Sequence, residues 1–456
     1  MQPSEPRRLT AAVFTKGQHP LHVHDLDPDA IFVLNRLNEA GFSAYLVGGG
    51  VRDIYLGKIP KDFDISTNAR PGQVRRLFPR SVVIGRRFRL VEVFFRGGKT
   101  IQVSTLRSLS EHDIDSPDSV LAPNNTFGTL EEDAQRRDLT INSLFFDIRD
   151  ESVIDYVGGV EDLKKGIVRL VGNPDRRLHT DPVRVLRAIR HAARSGFTID
   201  ETTWQAILDH RGDLSLCPPT RIRDEILKDL RSGAAAGWLE LCLKAGVLGV
   251  IFPLCRDTTP EENEMLVSLL RALDRLSGND ETVADSFLFA LLLIPYAESK
   301  YRLFSENTPS AALYQLGKKL RADIDQELAQ PLNLARVTRQ ETAALLTQLA
   351  TLLHQRTADG WPKWLRGKSY FAASSFLCRL YLQATDGETA QDESKWPSAP
   401  EFLPPIKQIS QVPPQIPQAL RPATAETMPE STRNDHHPRP SFARDGQPGG
   451  IFGLRK

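Results

Sequence analysis

The sequence predicts an α+β chain in which a head built on a mixed sheet is followed by an all-helical second half and a Pro-rich tail. Three observations carry this. Up to Asp155 short alternating segments bounded by glycines interleave with helical ones, and beyond it the strand signals fade. From Pro182 to about Gln383 nearly every segment has apolar residues at helical spacing, among them Leu227, Leu230, Leu239, Leu266, Leu269, Leu270 and the run from Phe287 to Leu293. From about Asp386 the composition turns to Pro404-Pro405, Pro413-Pro414 and His436-His437-Pro438, which cannot bury enough apolar surface to offset its ordering entropy, so a disordered tail is expected.

Residues 1 to about 25 carry Pro3, Pro6 and Pro20 without sustained periodicity and read as a leader draped over the head. Ile31, Phe32, Leu34 and Leu37 then fall at helical spacing between Asp27 and Ala40, and Gly41 ends that helix. A strand over Ala44 to Val47 runs into Gly48-Gly49-Gly50 and a short helix from Val51 to Leu56. Asp62-Phe63-Asp64-Ile65 alternates as a half-buried strand does, and Arg70 to Phe78 is helical again. Strands at Ser81 to Ile84 and Leu90 to Phe95 precede a Gly97-Gly98 turn and a partner strand from Thr100 to Leu106.

The 456 residues suffice for two to four domains of about 100–200 residues, which excludes a wholly disordered chain. With 58 basic and 57 acidic side chains, the net charge of +1 averages over local extremes. No run approaches the roughly 18 apolar residues of a membrane span, and Met1 to Arg8 lacks a secretory layout, so a cytoplasmic chain is expected. Cys217, Cys242, Cys255 and Cys378 are too widely spaced for a CxxC metal knuckle or a disulfide framework and read as ordinary reduced thiols.

Asp62 and Asp64, at i and i+2 on the expected strand, put two carboxylates on one face, where they repel unless a cation lies between them. Taken alone, such a pair reads equally as two solvated surface acids. The segment ahead of it changes the balance. Glycines entering a helix let backbone N–H groups approach a polyanion, the helix N-terminus favours negative charge, and Arg52 adds a charge-assisted contact. A phosphate cradle thus lies close in sequence to a site suited to Mg²⁺, the ion that carboxylates plus substrate phosphates usually hold.

Leu46-Val47-Gly48-Gly49-Gly50-Val51-Arg52-Asp53 with Asp62-Phe63-Asp64 resembles the class II nucleotidyltransferases, the bacterial poly(A) polymerases and tRNA CCA-adding enzymes. The resemblance continues through Glu131-Glu132-Asp133-Ala134-Gln135-Arg136-Arg137-Asp138-Leu139-Thr140-Ile141-Asn142, Asp155-Tyr156-Val157-Gly158-Gly159 and Asp181-Pro182-Val183-Arg184-Val185-Leu186-Arg187-Ala188. It implies a leader over 1–26, a nucleotidyltransferase catalytic head over 27–165, and a helical neck over 166–235 that binds nucleotide base and RNA. A helical RNA-binding body over 236–385 and the tail over 386–456 complete the expected organisation.

Carried over position by position, the resemblance makes Asp62 and Asp64 the metal ligands and, with Asp138, the catalytic acids. Gly48, Gly49, Arg52, Arg137 and Asn142 would organise the incoming ATP, with Mg²⁺ as cofactor. Asp181, Arg184 and Arg187 stand at i, i+3 and i+6 of an expected first neck helix, with Asp181 and Arg184 on one face. An Asp acceptor beside an Arg donor imitates a Watson–Crick partner for adenine or cytosine and leaves buried polar groups unpaired against guanine or uracil. An isolated Asp–Arg pair also reads as an intrahelical salt bridge, and Arg136-Arg137-Asp138 alone as a surface ion pair.

Ile84-Gly85-Arg86-Arg87-Phe88-Arg89-Leu90 resembles the stretch that marks the poly(A) branch. The basic residues Lys61, Arg70, Arg75, Arg76, Arg80, Arg86, Arg87, Arg89, Arg96 and Lys99 suit a nucleic-acid backbone. Trp361, Trp364, Arg366 and Lys368 read either as a second RNA contact or as helix packing. Two positions depart from the family: Gln102 stands where an acid of the metal cluster is usual, and Thr180 where Glu precedes the templating Asp. Glu92, in place of the poly(A) branch's His, compensates for Gln102 only if a bulge brings the two side chains onto one face.

The expected activity is template-independent addition of AMP from ATP to RNA 3′ ends with release of pyrophosphate, by two-metal catalysis. The alternatives are a tRNA nucleotidyltransferase adding CCA or its terminal A, and an RNA-binding paralogue with impaired catalysis. The expected partner is the RNA 3′ end of mRNA, small RNA or tRNA, with the tail as the docking place for RNA-decay proteins and the chain itself a monomer.

Overall fold

The computed structural model describes residues 10–85, 89–108, 127–277, 283–305, 308–357 and 360–385. The tail after Thr385 and the Arg86-Arg87-Phe88 stretch lie outside the described residues. The fold is α+β. In chain order the head contains β1 (Ala12–Phe14), α1 (Pro28–Glu39), β2 (Ala44–Val47), α2 (Gly49–Tyr55), β3 (Asp64–Thr67), α3 (Pro71–Leu77), β4 (Ser81–Ile84), β5 (Leu90–Phe94) and β6 (Thr100–Thr105). They are followed by α4 (Leu130–Arg136), β7 (Phe145–Asp147), β8 (Ser152–Asp155) and α5 (Gly159–Lys165). The eight strands form one sheet in the order β1-β8-β7-β2-β3-β6-β5-β4, antiparallel throughout except for the parallel pair β3 and β6.

Register decides which face each side chain takes, because residues directly opposite one another share a face. Leu46, Ile65, Val103 and Val91 lie opposite one another across β2, β3, β6 and β5 and enter the main core beneath α1 and α3. Helix α1 is entered through Asp27, whose carboxylate accepts from the Asp29 amide at 2.8 Å, and it buries Ala30, Val33, Leu34 and Leu37. The opposite row is Val47, Asp64, Gln102 and Glu92, with Ser66 beside Ser104 in the next row of the same face, their hydroxyls 3.0 Å apart. At one end of that face Val47, Leu106, Ala134 and Phe145 form a smaller apolar cluster that seats α4. The polar remainder is open to a ligand.

Three expectations are corrected here. Strand β3 begins at Asp64, so Asp62 precedes it; β2 ends at Val47, opposite Asp64, and turns into α2, which leaves Asp62 no ladder partner. Helix α2 begins at Gly49 rather than Val51: Gly48 alone has positive φ, at 69°, and the Arg52 amide closes the first turn on its carbonyl. The stretch read as an irregular leader contributes β1, which pairs with β8, and the fully buried Leu21.

Beyond the head come β9 (Ile167–Val168), α6 (Pro174–Thr180), α7 (Arg184–Ser195), β10 (Thr198–Ile199), α8 (Glu201–His210), α9 (Pro219–Leu230), α10 (Ala235–Lys244), α11 (Leu248–Ile251) and α12 (Pro260–Ser277). The helical part ends with α13 (Asp285–Leu292), α14 (Ile294–Tyr301), α15 (Ser310–Glu327), α16 (Arg336–His354), α17 (Lys363–Arg366) and α18 (Phe371–Thr385). The run expected from Phe287 to Leu293 is buried along its whole length as α13 and the residue after it. All four cysteines are buried free thiols, and among the described residues no helix is long and apolar enough to cross a membrane. Trp361 packs edge-to-face on Phe371 and donates its indole N–H to the Leu352 carbonyl at 2.9 Å, so it is helix packing, while Trp364 is exposed.

Candidate active site

Asp64 stands at the start of β3 on the open face, half-buried. Burial and the nearby Asp62 carboxylate push its pKa up, and the Arg137 guanidinium pulls it down. Among the described residues neither the Asp62 nor the Asp64 carboxylate hydrogen-bonds or ion-pairs with a protein group. Two carboxylates that repel each other and have no protein donors form an all-oxygen set fitting a hard divalent cation. In the row of Asp64, Gln102 lies opposite Asp64 on one side and opposite Glu92 on its other side. The pairing is regular, so Glu92 and Gln102 share the face with no bulge, contrary to the expectation that one would be required.

Arg137 is the hub beside Asp64. Its Nε and Nη2 donate to Asp133 Oδ2 at 3.1 and 2.9 Å, Nη2 also to Ser66 Oγ at 3.0 Å, and Nη1 to the Asn142 carbonyl at 3.4 Å. The guanidinium lies over the Phe145 ring, 5.1 Å from its centroid. A Cβ on Gly48 would meet Arg137 Nη1 at 3.6 Å, so the turn into α2 and the arginine are neighbours.

Asp138 is buried at the end of the same segment. Burial alone would raise its pKa, but Arg187, His191 and the Leu139 amide outweigh it and hold the carboxyl well below the usual range. Arg187 Nε lies 3.2 Å from Asp138 Oδ2, and the Leu139 N–H donates to Oδ1 at 2.8 Å. Asn142 extends this network: its Oδ1 accepts from Arg52 Nη1 at 2.6 Å, and its Nδ2 lies 3.3 Å from His191 Nε2. Burial and the adjacent Arg52 keep His191 well below the ordinary imidazole pKa.

Arg52 is therefore turned inward. It is 5 % exposed, with Nε and Nη2 on Asp53 Oδ1 at 2.9 and 2.7 Å. The direct contact with a bound polyanion expected of it is replaced by support of Asn142 beneath Gly49. Asn142 sits in a one-turn helix, residues 140–142, against which α5 packs so closely that a Cβ on Gly159 would lie 2.2 Å from the Thr140 carbonyl oxygen. Asp155 fixes that approach by accepting from the Val157, Gly158 and Val160 amides, each at 2.9 Å.

Arg184 and Arg187 project from α7 toward the head. With Ser104, Arg107, Asp133, Arg136, Arg137 and Asp138 they line a cavity of about 250 Å³ in which five guanidiniums face two carboxylates. Burial and Arg136 lower Arg107 to about 10, a measure of how crowded the positive charge is. A second cavity, of about 520 Å³, holds Asp62 with Lys61, Arg190, Arg194, Lys228 and Arg231.

Asp181 does not share a face of α7 with Arg184. It precedes Pro182, which disfavours helical backbone at that position, and its φ of −147° ends α6 while α7 starts at Arg184. Its carboxylate pairs with Arg221 of α9, Oδ1 to Nη1 at 3.0 Å, whereas Arg184 Nη1 donates to the Arg177 carbonyl at 2.9 Å. Thr180 caps its own helix by donating to the Arg176 carbonyl.

The structure thus puts Arg137 beside Asp64, joins Gly48 and Asn142 to Arg137 and Asp138 to Arg187, and leaves Asp181 on a separate pair. Sequence reasoning gave no role to Ser66, Asp133, His191 or Arg221. His191 stands one turn beyond Arg187 on α7 and was within reach of helical spacing; Arg221, 40 residues from Asp181, carried no local signal. Of the basic strip, Arg75, Arg76, Arg80, Arg89 and Arg96 are exposed, while Lys99 pairs with Asp27 and Asp29.

The chain is similar to known proteins. Residues 44–169 match the poly A polymerase head domain, and residues 196–257 match a family described as the probable RNA and SrmB-binding site of polymerase A. The chain is 40 % identical over 313 residues to poly(A) polymerase I of Escherichia coli, spanning 66 % of this chain and 67 % of that one. It is 36 % identical over 402 residues to poly(A) polymerase I of Salmonella typhi, 84 % of each. A solved CCA-adding enzyme in complex with CTP aligns with a TM-score of 0.54 at 24 % identity, over 79 % of this chain and 80 % of that one, a likeness of fold. By its head, its helical half and the extent of these matches, the chain belongs to the nucleotidyltransferase family of bacterial poly(A) polymerases and CCA-adding enzymes.

Proposed function

We propose that the chain is a template-independent poly(A) polymerase that transfers AMP from ATP to the 3′ end of RNA. The observation that carries this is the pair Asp62, just ahead of β3, and Asp64, on the open sheet face, with no protein donor to either carboxylate and Arg137 beside Asp64. The poly(A) branch is favoured by the likeness to poly(A) polymerase I over 84 % of both chains.

In this reading the triphosphate lies along Arg137 and Arg187, with Gly48 taking the positive φ that the turn into α2 needs. Asp138 holds Arg187 in place and keeps it charged; Arg52 and His191 hold Asn142. The RNA 3′ oxygen forms its bond to the α-phosphorus as the bond to pyrophosphate breaks, and the hydroxyl proton leaves. Asp62 and Asp64 would hold Mg²⁺, which when bound supplies charge neutralisation for this in-line displacement. Catalysis by the protein is then positioning and electrostatics.

Asp181 supplies the acceptor for the adenine amino group once it is shared with or released from Arg221, and Arg184 the donor. The proposed division of labour is a head over 27–165, a neck over 166–235 and a body over 236–385.

The test is a sizing gel with labelled RNA, comparing ATP alone, CTP alone and both, on an unstructured oligomer and on a tRNA lacking CCA. Long ladders on the oligomer with ATP are expected. Addition confined to the tRNA would make the chain a tRNA nucleotidyltransferase instead. RNA binding without addition to either substrate would mark a paralogue that has lost turnover, with Gln102 and Thr180 as the first suspects.

A further inference from the structure

Away from the sheet, α6 and α8 bring a different set of ligand-capable groups together. Asp175 and His179 stand at i and i+4 of α6, on one face of the helix. His210 ends α8, and Asp213 lies in the short helical turn that follows. One ligand-capable atom from each of His179, His210 and Asp213 lies within 4.8 Å of the other two. His210 Nδ1 is 2.8 Å from Asp213 Oδ2, and its Nε2 is 3.7 Å from Asp175 Oδ1. The His179 and His210 rings meet edge-to-face, with centroids 6.2 Å apart.

We propose that His179, His210 and Asp213, with Asp175 behind His210, form a second metal site, for a transition-metal ion of the Zn²⁺ class, that ties the end of α6 to the end of α8.

The charge argument comes first. His210 is the only ion-pair partner of either Asp175 or Asp213 among the described residues, so a neutral imidazole leaves two carboxylates without a counter-charge. His179 makes no hydrogen bond among the described residues, leaving its ring nitrogens free to ligate. His210 turns Nδ1 to Asp213 and Nε2 to Asp175, so that with Nδ1 and Asp213 on the ion, Asp175 is the outer carboxylate that fixes the ligating tautomer.

Size agrees. Bonds of about 2.0–2.2 Å in a tetrahedron place Zn²⁺ ligand atoms about 3.3 Å apart. The 2.8 Å between His210 Nδ1 and Asp213 Oδ2 therefore needs an opening of about half an ångström for an ion to take the place of the proton between them. Imidazole nitrogens suit Zn²⁺ and its neighbours, whereas Mg²⁺ prefers oxygen. The two sites in this chain are thus separated by chemistry: oxygen donors alone at Asp62 and Asp64, mixed nitrogen and oxygen here. The inference is independent of the proposed activity.

An ion here would stiffen the stretch that carries Asp181, since His179 is two residues before it and Asp213 precedes Arg221, its ion-pair partner, in the connection to α9.

The experiment uses the full chain stripped of metal with a chelator. Zn²⁺ is titrated in competition with a chromophoric chelator in excess Mg²⁺, and Co²⁺ is added separately to read the coordination from its visible absorption. One equivalent of Zn²⁺ and a Co²⁺ spectrum of tetrahedral strength are expected. His179→Gln, His210→Gln and Asp213→Asn should each weaken Zn²⁺ binding by at least about tenfold, and Asp175→Asn, behind His210, by about 10–100-fold. Cys217→Ser should leave it unchanged.

Metal-free melting curves establish that each variant is folded; if His210→Gln unfolds, the exposed His179 carries the test. Failure to bind Zn²⁺ in excess Mg²⁺ would overturn the proposal. So would binding that survives both histidine variants, which would place the ion elsewhere, for example on His436-His437, and so would binding abolished by Cys217→Ser.

Discussion

Gln102→Glu is the most informative single change at the sheet face, because the register gives its magnitude. Neighbouring strands lie about 4.8 Å apart, so residue 102 stands about that far from Asp64 and Glu92 about twice as far. Gln102 is exposed, so the high-dielectric limit applies, and a new negative charge at about 5 Å costs about 1 kcal/mol against Asp64 without metal. A divalent ion beside it doubles the charge and reverses the sign, an attraction of about 2 kcal/mol before desolvation. The variant should therefore bind Mg²⁺ about five- to thirtyfold more tightly while its metal-free form loses about 1 kcal/mol of stability.

Glu92→Gln, at twice the distance, should raise the half-saturating Mg²⁺ concentration by up to about fivefold. The assay is AMP incorporation as a function of Mg²⁺ at saturating ATP, with melting curves in chelator alongside. An unchanged Mg²⁺ requirement in both variants would refute the reasoning, and two carboxylates plus the nucleotide would then suffice.

Asp181→Ala should lower ATP use and narrow the preference for ATP over GTP, because the acceptor for the adenine amino group and the penalty against guanine disappear together; an unchanged preference would leave the pair with Arg221 purely structural. Gly159→Ala should cost about 1–3 kcal/mol in a denaturant titration, since the Thr140 carbonyl must move aside, and the same change at exposed Gly158 gives the comparison for backbone strain alone. For Asp138 the folded pKa is depressed, so its ionised form stabilises the fold above the ordinary Asp value of about 3.9, and that contribution is lost as pH falls toward the folded pKa. The stability gap between the parent and Asp138→Asn should accordingly be widest near neutrality and shrink below pH about 4; a gap independent of pH would contradict the ion pair with Arg187.

Much of this was legible because local pattern and tertiary environment agree. Helix α1 carries its apolar stripe between a capping Asp27 and Gly41, and β5 and β6 alternate because one face is core and the other polar. Where the reading slipped, a distant partner decided the matter. Alternation extends from Asp62 to Ile65, yet the strand cannot start before Asp64, because β2 has already turned into α2. Phe145 and Phe146 are both buried, one on each face of β7, so the segment shows no alternation. Strand β1 is three residues long and exists by pairing with β8 far along the chain. The Asp181 spacing looked helical only if Pro182 is ignored, and its partner Arg221 belongs to another helix. Arg137, Asp138 and Asn142 lie within one short motif, but the interior role of Arg52 depends on His191 and Asn142, which no local spacing links to it.

The central claim is that Asp62 and Asp64 hold the ions for adenylyl transfer to RNA. It is tested most directly by incubating the parent, Asp62→Asn and Asp64→Asn with a labelled single-stranded oligomer, ATP and Mg²⁺, and by measuring RNA affinity and melting temperature on the same preparations. The account predicts a long ladder from the parent and a loss of nearly all addition in each variant, with RNA affinity and fold retained. Near-parental addition by either variant, or its loss only together with folding, would contradict it.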